Sequence, residues 1–538
     1  MWLLFKLLIL CAAKKMSNKL TRFLPDLILV LLLLLLIGMQ WQALHLPYYW
    51  DEAWVYVPAV NAMVLQGPSL MPGSIDPNLY TGHPLMFYFL SASWLQWFGY
   101  SVFNAHLFAL LLAILFLISL YIILQLHGQE KWTSLFVTLI CGLQSIFLAQ
   151  STFVLSEILL SIFIVWALHF YVHHRYWAYV IFAVFAMNTK EPGFVLIPVV
   201  VINEMLKCIK YKRKLDWNLF SRFALLVLPG LVAFSFFVIQ KYKLGWMFFP
   251  RHYNWVDFSV QAILTKASAI FQFLFLSQGR SLLLVSLVFT GLFWLRRNFL
   301  LAFIPSILLA VVVINFSFHH TTVWLTIFSA IFLTLYFAIL WFANYKGKLV
   351  PESDNRLLTY LIFAIIFSSF FCINFLSMRY LWACIPFFIL ASLLWHLEWM
   401  KADKKIAFGF ALIFITNFLT VLPYNATKAY PGDVELSYRK MVNFHQQAVR
   451  YCEVNIPEDD IILTHFLMMN NLTNSLSGYR SGEKVFRNCY NHHPNPQWVI
   501  LSVMELDDEL RPYLSNQKYQ LVKEWNQGQS WCRIYKRK

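Results

Sequence analysis

Residues 47–90 read PYYWDEAWVYVPAVNAMVLQGPSLMPGSIDPNLYTGHPLMFYFL. They follow the most hydrophobic run of the chain, Leu24 to Leu46, and set two adjacent carboxylates, Asp51 and Glu52, where that run ends. A helix crosses a bilayer with ~20 apolar residues, so the pair sits at a membrane surface. A Pro- and Gly-rich segment comes next, and then His83-Pro84, which opens a second apolar stretch. Ionisable side chains beside a span mark a candidate functional site, because charge is costly there unless it is paired or used.

The whole composition fits this setting. Of 538 residues, 60% are hydrophobic and only 13% charged, and the mean hydropathy is +0.61. That is too apolar for a soluble domain and predicts a polytopic α-helical membrane protein. The formal net charge of +16 does not point to nucleic acid. Of the 42 Lys+Arg and 26 Asp+Glu, 14 and 12 lie from Tyr424 onward, which leaves 28 against 14 in the membrane part, mostly in short loops. Basic short loops face the cytoplasm.

Apolar runs predict about thirteen spans: Leu24 to Leu46, Phe103 to Leu124, Ser134 to Gln150, Ile158 to Val172, Trp177 to Met187, Phe194 to Leu206 and Phe223 to Ile239. After the outward loop Lys241 to Arg280 follow Leu282 to Leu295, Phe299 to Phe316, Val323 to Phe342, Leu357 to Phe375, Leu381 to Leu397 and Ile406 to Leu422. The basic cluster at residues 14–22 keeps residues 1–23 in the cytoplasm. The later basic loops face the same side only if Pro84 to Phe98 does not cross, so the first outer loop, 47–102, contains juxtamembrane helices. The same parity puts Asp51, Glu52, His83, Glu157, Lys190, Glu191, Arg251, His252, His319, His320 and Arg379 on one side, the outer one.

The membrane part thus runs over residues 24–423. From 424 to 538 hydropathy falls, and a helix over residues 436–455 alternates with strands around 459–467, 497–504, 519–525 and 531–537, with a short helix over 505–514. The pattern predicts a small extracytoplasmic α/β domain. Its three cysteines, Cys452, Cys489 and Cys532, leave room for one disulfide without saying which. No Gly-rich phosphate loop occurs anywhere, which weighs against a nucleotide-driven pump.

Asp51 and Glu52 suit a helix start, since acids complement the dipole of the first turn. Two of them among Tyr48, Tyr49, Trp50 and Trp54 also suit a general base shielded from water. Glu157 is the acid of an otherwise apolar span, and Lys190 and Arg379 are cations at outer span ends, where a lipid phosphate needs compensation.

Taken together, Asp51-Glu52 after the first span, Gly82-His83-Pro84-Leu85, Ser156-Glu157, the NTKEPG run at 188–193 and RYLWACIPF at 379–387 resemble the C-type (GT-C) membrane glycosyltransferases. The nearest are the bacterial family 39 and 83 enzymes, the protein O-mannosyltransferases and the lipid A aminoarabinose transferases. Two positions depart from that pattern: Leu85 stands where His-Pro-Pro or Lys-Pro-Pro is common, and His106 where an Arg is frequent.

The resemblance implies transfer of a hexosyl or pentosyl group from a polyprenyl-phosphate donor to a lipid, glycan or protein acceptor, in the bacterial inner membrane with the site facing the periplasm. It implies Asp51 as base with Glu52 as its partner and Glu157 as a second acidic site residue. His83, Lys190, Arg379 and Tyr380 then contact substrate. Chemistry agrees, because displacing a lipid phosphate needs one base for the acceptor hydroxyl and cations for the leaving phosphate, and a single displacement inverts the anomeric centre. Asp51, Glu157 and a histidine leave room for a divalent metal, and no spacing demands one. The rival class is a multi-pass transporter or lipid flippase, which predicts internal repeats and midplane charges.

Overall fold

The first membrane helix, α1 (Asn18–Gln40), is Leu-rich and exposes Phe23, Leu27, Leu34 and Leu35, as a lipid-facing helix should. Its start is pinned by Asp26, which accepts from Tyr121 Oη at 2.7 Å and pairs with Lys131. The computed structural model describes residues 18–212, 216–277, 280, 355–391, 432–482, 484–504 and 510–538.

The loop expected at 47–102 does not stay irregular. A wide helical turn, Glu52–Tyr56, leads into α2 (Val57–Gln66), with Pro58 where a helix start tolerates it. Asp76 caps the short α3 (Pro77–Tyr80), and α4 (Met86–Phe98) follows. At ~1.5 Å per residue α4 is ~20 Å long, short of the ~30 Å hydrocarbon core, in keeping with a juxtamembrane helix.

The membrane helices then come in order: α5 (Val102–Leu126), α6 (Lys131–Gly142), α7 (Ser145–Gln150), α8 (Glu157–Val172), α9 (Tyr176–Thr189), α10 (Leu196–Lys210), α11 (Trp217–Leu244), α12 (Val260–Phe271) and α13 (Asn355–Ile373). A tight turn, Met378–Cys384, opens the next helical segment. Five helices among the described residues are long and apolar enough to cross: Phe23–Gln40, Val102–Leu126, Glu191–Lys210, Trp217–Leu244 and Arg356–Ile373. Four more are apolar but shorter, Glu157–Val172, Tyr176–Thr189, Val260–Phe275 and Met378–Ala391. This is a multi-pass membrane protein. The spans expected at 282–295, 299–316, 323–342 and 406–422 lie outside the described residues, as do His319 and His320.

Two expectations are corrected. The span read as Ser134 to Gln150 is broken at Leu143-Gln144 into α6 and α7, and the buried, non-helical residues 151–156 follow. The stretch Lys241 to Arg280 is not one loop: Ser259 Oγ accepts from Ala262 N at 3.3 Å and starts α12, whose mixed polar sequence hid it.

The C-terminal domain builds a five-stranded sheet of order β2-β1-β3-β5-β4 from β1 (Ile462–Leu463), β2 (Cys489–Tyr490), β3 (Trp498–Ser502), β4 (Tyr519–Gln527) and β5 (Ser530–Arg537). β1 is parallel to β2 and β3, and β5 is antiparallel to β3 and β4. Helix α14 (Tyr438–Asn455) buries Met441, Val442, Ala448, Val449 and Cys452 against it. The strand expected at 459–467 is only two residues long before α15 (Phe466–Thr473) begins. Cys452, Cys489 and Cys532 are free thiols.

The domain clamps onto the segment that opens the loop expected at 47–102. Tyr48 N donates to Ser477 O at 3.0 Å, and Phe466 meets the Trp50 and Trp54 rings edge-on at 5.8 and 5.5 Å. At Gly478, with φ +81°, a Cβ would stand 3.2 Å from Val102 Cγ2 and 3.5 Å from Pro47 Cα, so the conformation and the space both favour glycine.

Candidate active site

Trp50 has φ 53°, a left-handed backbone that is rare for a bulky residue. Asp51 follows in right-handed helical conformation and Glu52 opens the helical turn, so the two neighbouring acids project in different directions. Glu52 points inward, accepting from Tyr49 N at 3.0 Å and from Val154 N at 2.6 Å, with His106 Nε2 3.3 Å away. It satisfies the irregular residues before α8 and does not line the cavity. The structure thus places Glu52, expected beside the base, on the Val154 main chain and next to His106.

Asp51 points the other way, where its Oδ1 accepts from Trp54 Nε1 at 3.0 Å and its Oδ2 pairs with Arg379. Arg379, 2% exposed, is the hub. Its Nη2 serves Asp51 and, at 3.4 Å, the Tyr380 hydroxyl; its Nε donates to Glu157 Oε1 at 3.1 Å; its Nη1 pairs with Asp433. A planar guanidinium with five donors can hold such a set, whereas an ammonium cannot.

Glu157 Oε1 also accepts from Lys190 Nζ at 2.8 Å, and Lys190 lies over the Tyr380 ring at 4.0 Å. Glu157 is buried behind both cations and does not line the cavity, so it orients them. Glu191 turns from its neighbour to His83, whose Nδ1 is 2.8 Å from Glu191 Oε1. Lys190 and Glu191 are thus not each other's partners. The two directions come from the turn Glu191–Val195, where Gly193 packs on α9 so closely that a Cβ would stand 2.6 Å from Ala186 O.

Asp51, His83, Glu191, Lys190, Arg379 and Tyr380 line one cavity of about 580 Å³. Its other walls are mostly aromatic, with Phe234 and Phe237 from α11, Phe248 after it, Tyr253 and Trp255 from the turn Pro250–Trp255, and Phe370, Phe371 and Phe375 at and just past the end of α13. A polar end holding both charge signs and a long apolar wall suit an amphiphilic ligand.

His252 also lines it, its ring 5.2 Å from that of His83. Burial, with the His83 charge adding to it, pushes the His252 imidazole down to about 4. Arg251 is exposed.

Asp433 was not anticipated. It comes from the start of the C-terminal domain, 54 residues from Arg379 in the chain, and only an acid after Pro431-Gly432 hinted at it. Burial pushes its carboxyl above the ordinary range, although Arg379 pulls the other way. Among the described residues the metal set of Asp51, Glu157 and a histidine is not assembled, because both acids are turned to Arg379 and His83 is turned to Glu191.

No protein-family model matches this sequence, and no curated protein matches it. Solved structures do. The chain is similar to ArnT from Cupriavidus metallidurans. In the crystal structure bound to undecaprenyl phosphate the identity is 13% and the TM-score 0.49, over 95% of this chain and 97% of that one. In the apo crystal structure they are 18% and 0.47, over 78% and 69%.

Proposed function

We propose that this protein is a C-type membrane glycosyltransferase that moves a sugar from a polyprenyl-phosphate donor to an acceptor hydroxyl at the outer membrane boundary. The reading places the site on the periplasmic side of a bacterial inner membrane, with residues 24–423 as the transferase part and 424–538 as an outer domain. One observation carries it: Asp51, Lys190 and Arg379 share a cavity lined largely by aromatic side chains.

In this reading the prenyl chain lies along the aromatic wall and the sugar phosphate reaches Lys190 and Arg379. Asp51 takes the proton of the acceptor hydroxyl as its oxygen attacks the anomeric carbon. The bond to the phosphate oxygen breaks, and the phosphate leaves as an anion held by the two cations, so no acid is needed. Attack and departure on opposite faces invert the centre. Arg379 has to trade its contact with Asp51 for the phosphate, which frees the carboxylate to act. His83 and Tyr380 line the sugar's side of the cavity, and Glu157 holds Lys190 and Arg379 in place.

The test incubates membranes with radiolabelled polyprenyl-phosphate sugars and compares the wild type with Asp51→Asn. Loss of a general base lowers transfer by about 10²–10⁴-fold. Transfer surviving in Asp51→Asn removes Asp51 as the base. A wild type inert with every carrier offered favours the transporter or flippase reading.

A further inference from the structure

At the far end of α8 from Glu157 stands a group of residues that the proposed reaction does not use. His169 lies in the last turn of α8, His173 directly after it, and His127 directly after α5. From Glu157 to His169 the helix rises ~18 Å and to His173 ~24 Å, so the group sits near the opposite membrane face. One ring nitrogen from each of the three lies within 4.8 Å of the others. His127 Nε2 is 2.9 Å from His169 Nδ1, and the His169 and His173 rings are 4.6 Å apart. His127 and His169 are buried, and His173 is exposed.

We infer that His127, His169 and His173 form a binding site for a divalent transition metal, zinc in the first place, on the face of the membrane part away from the candidate active site. Spacing comes first: histidines four residues apart project from one helix face, as paired metal ligands do. Ligand type comes second, for three imidazoles with no carboxylate suit zinc, copper, nickel or cobalt and not calcium or magnesium.

Distance comes third. Two nitrogens bound at ~2.0–2.1 Å to a tetrahedral ion lie ~3.3–3.4 Å apart, so the 2.9 Å pair opens slightly and the third ring closes in. Finally, the Tyr360 hydroxyl is 3.2 Å from His127 Nδ1 and Arg356 Nη1 donates to His127 O at 2.7 Å. The Tyr360 contact aims the other ring nitrogen, Nε2, at an ion, and the Arg356 contact holds the main chain that carries it.

Three protein ligands leave a fourth position on the His173 side for water. Bound metal would tie the end of α5 to the end of α8 and, through Tyr360, to α13. Arg175 and Arg356 act on His173 electrostatically and work against a cation, which limits affinity without removing the ligands.

The test uses the full chain, purified in detergent through a tag without histidine, loaded with Co²⁺ or Zn²⁺ and desalted. The wild type should keep about one equivalent of metal per chain by mass spectrometric metal analysis, and the cobalt form should absorb as a tetrahedral ion does. His173→Gln changes an exposed side chain and so spares the fold; it should lose most of the metal and the cobalt bands. His169→Ala should lose all of it, and His45→Gln, remote from the group, should lose none. A wild type that keeps no more metal than His169→Ala, or a His173→Gln variant with unchanged cobalt bands, overturns the proposal.

Discussion

Replacing Arg379 by alanine would leave three carboxylates, Asp51, Glu157 and Asp433, without the cation they converge on. Removing one partner of a buried ion pair destabilises by about 3–5 kcal/mol, and here the guanidinium is 2% exposed and serves three acids at once. Arg379→Ala should therefore lower the apparent melting temperature in detergent sharply. Arg379→Lys keeps the charge but cannot reach all partners. With at least one charge-assisted hydrogen bond lost, it should cost about 1.5–3 kcal/mol.

The two variants also differ in pH response. Asp433 is held above its ordinary range in the folded protein, so its favourable contribution is complete below the unfolded carboxylate value, near ~4, and is lost as pH rises through the folded value. Without Arg379 the folded value climbs further. Acidification from pH 8 to 5 should then restore stability to Arg379→Ala more than to Arg379→Lys. Fluorescence-detected unfolding across that range is the assay. An Arg379→Ala protein as stable as the wild type at pH 8, or one that loses stability on acidification, would refute the hub.

Glu52→Gln should act on stability and not on chemistry, costing about 1–3 kcal/mol as a charged acceptor of two backbone N–H groups is lost, with transfer per folded molecule retained. Gly193→Ala should cost about 1–3 kcal/mol by overpacking against Ala186 and lower transfer as Lys190 and Glu191 shift, read by melting temperature and radiolabel together. His252, held at about 4, contributes stability that is present above its unfolded value near ~6.5 and lost as pH falls toward 4, so His252→Gln should flatten the acid limb of a stability profile.

Much of this arrangement could be read before any coordinates. Hydropathy and basic loops foretold the helices, because a bilayer imposes one length and one sign rule on every span. Asp51, His83, Lys190 and Arg379 were legible as a group for the same reason, since counting crossings put them on one side. Direction was not legible. Asp51 and Glu52 are neighbours of one chemistry, and only their partners, Arg379 for one and Val154 N for the other, tell them apart. Asp433 was out of reach because its partner lies in another part of the fold. The break between α6 and α7 escaped notice because Leu143-Gln144 lies within one continuous, mostly apolar run, with no proline or charge to mark the interruption. In the histidine group, the spacing of His169 and His173 was visible, but His127 joins them from 42 residues away.

The Asp433 contact bears on anyone who would exchange modules between related chains. A graft joined after the last span would bring its own acid, or none, to a guanidinium shaped for this one. It would also have to reproduce the seam at Tyr48, Ser477 and Gly478. Chimeras cut within the outer domain, downstream of Gly478, keep both and should assemble; cuts upstream of Asp433 should not.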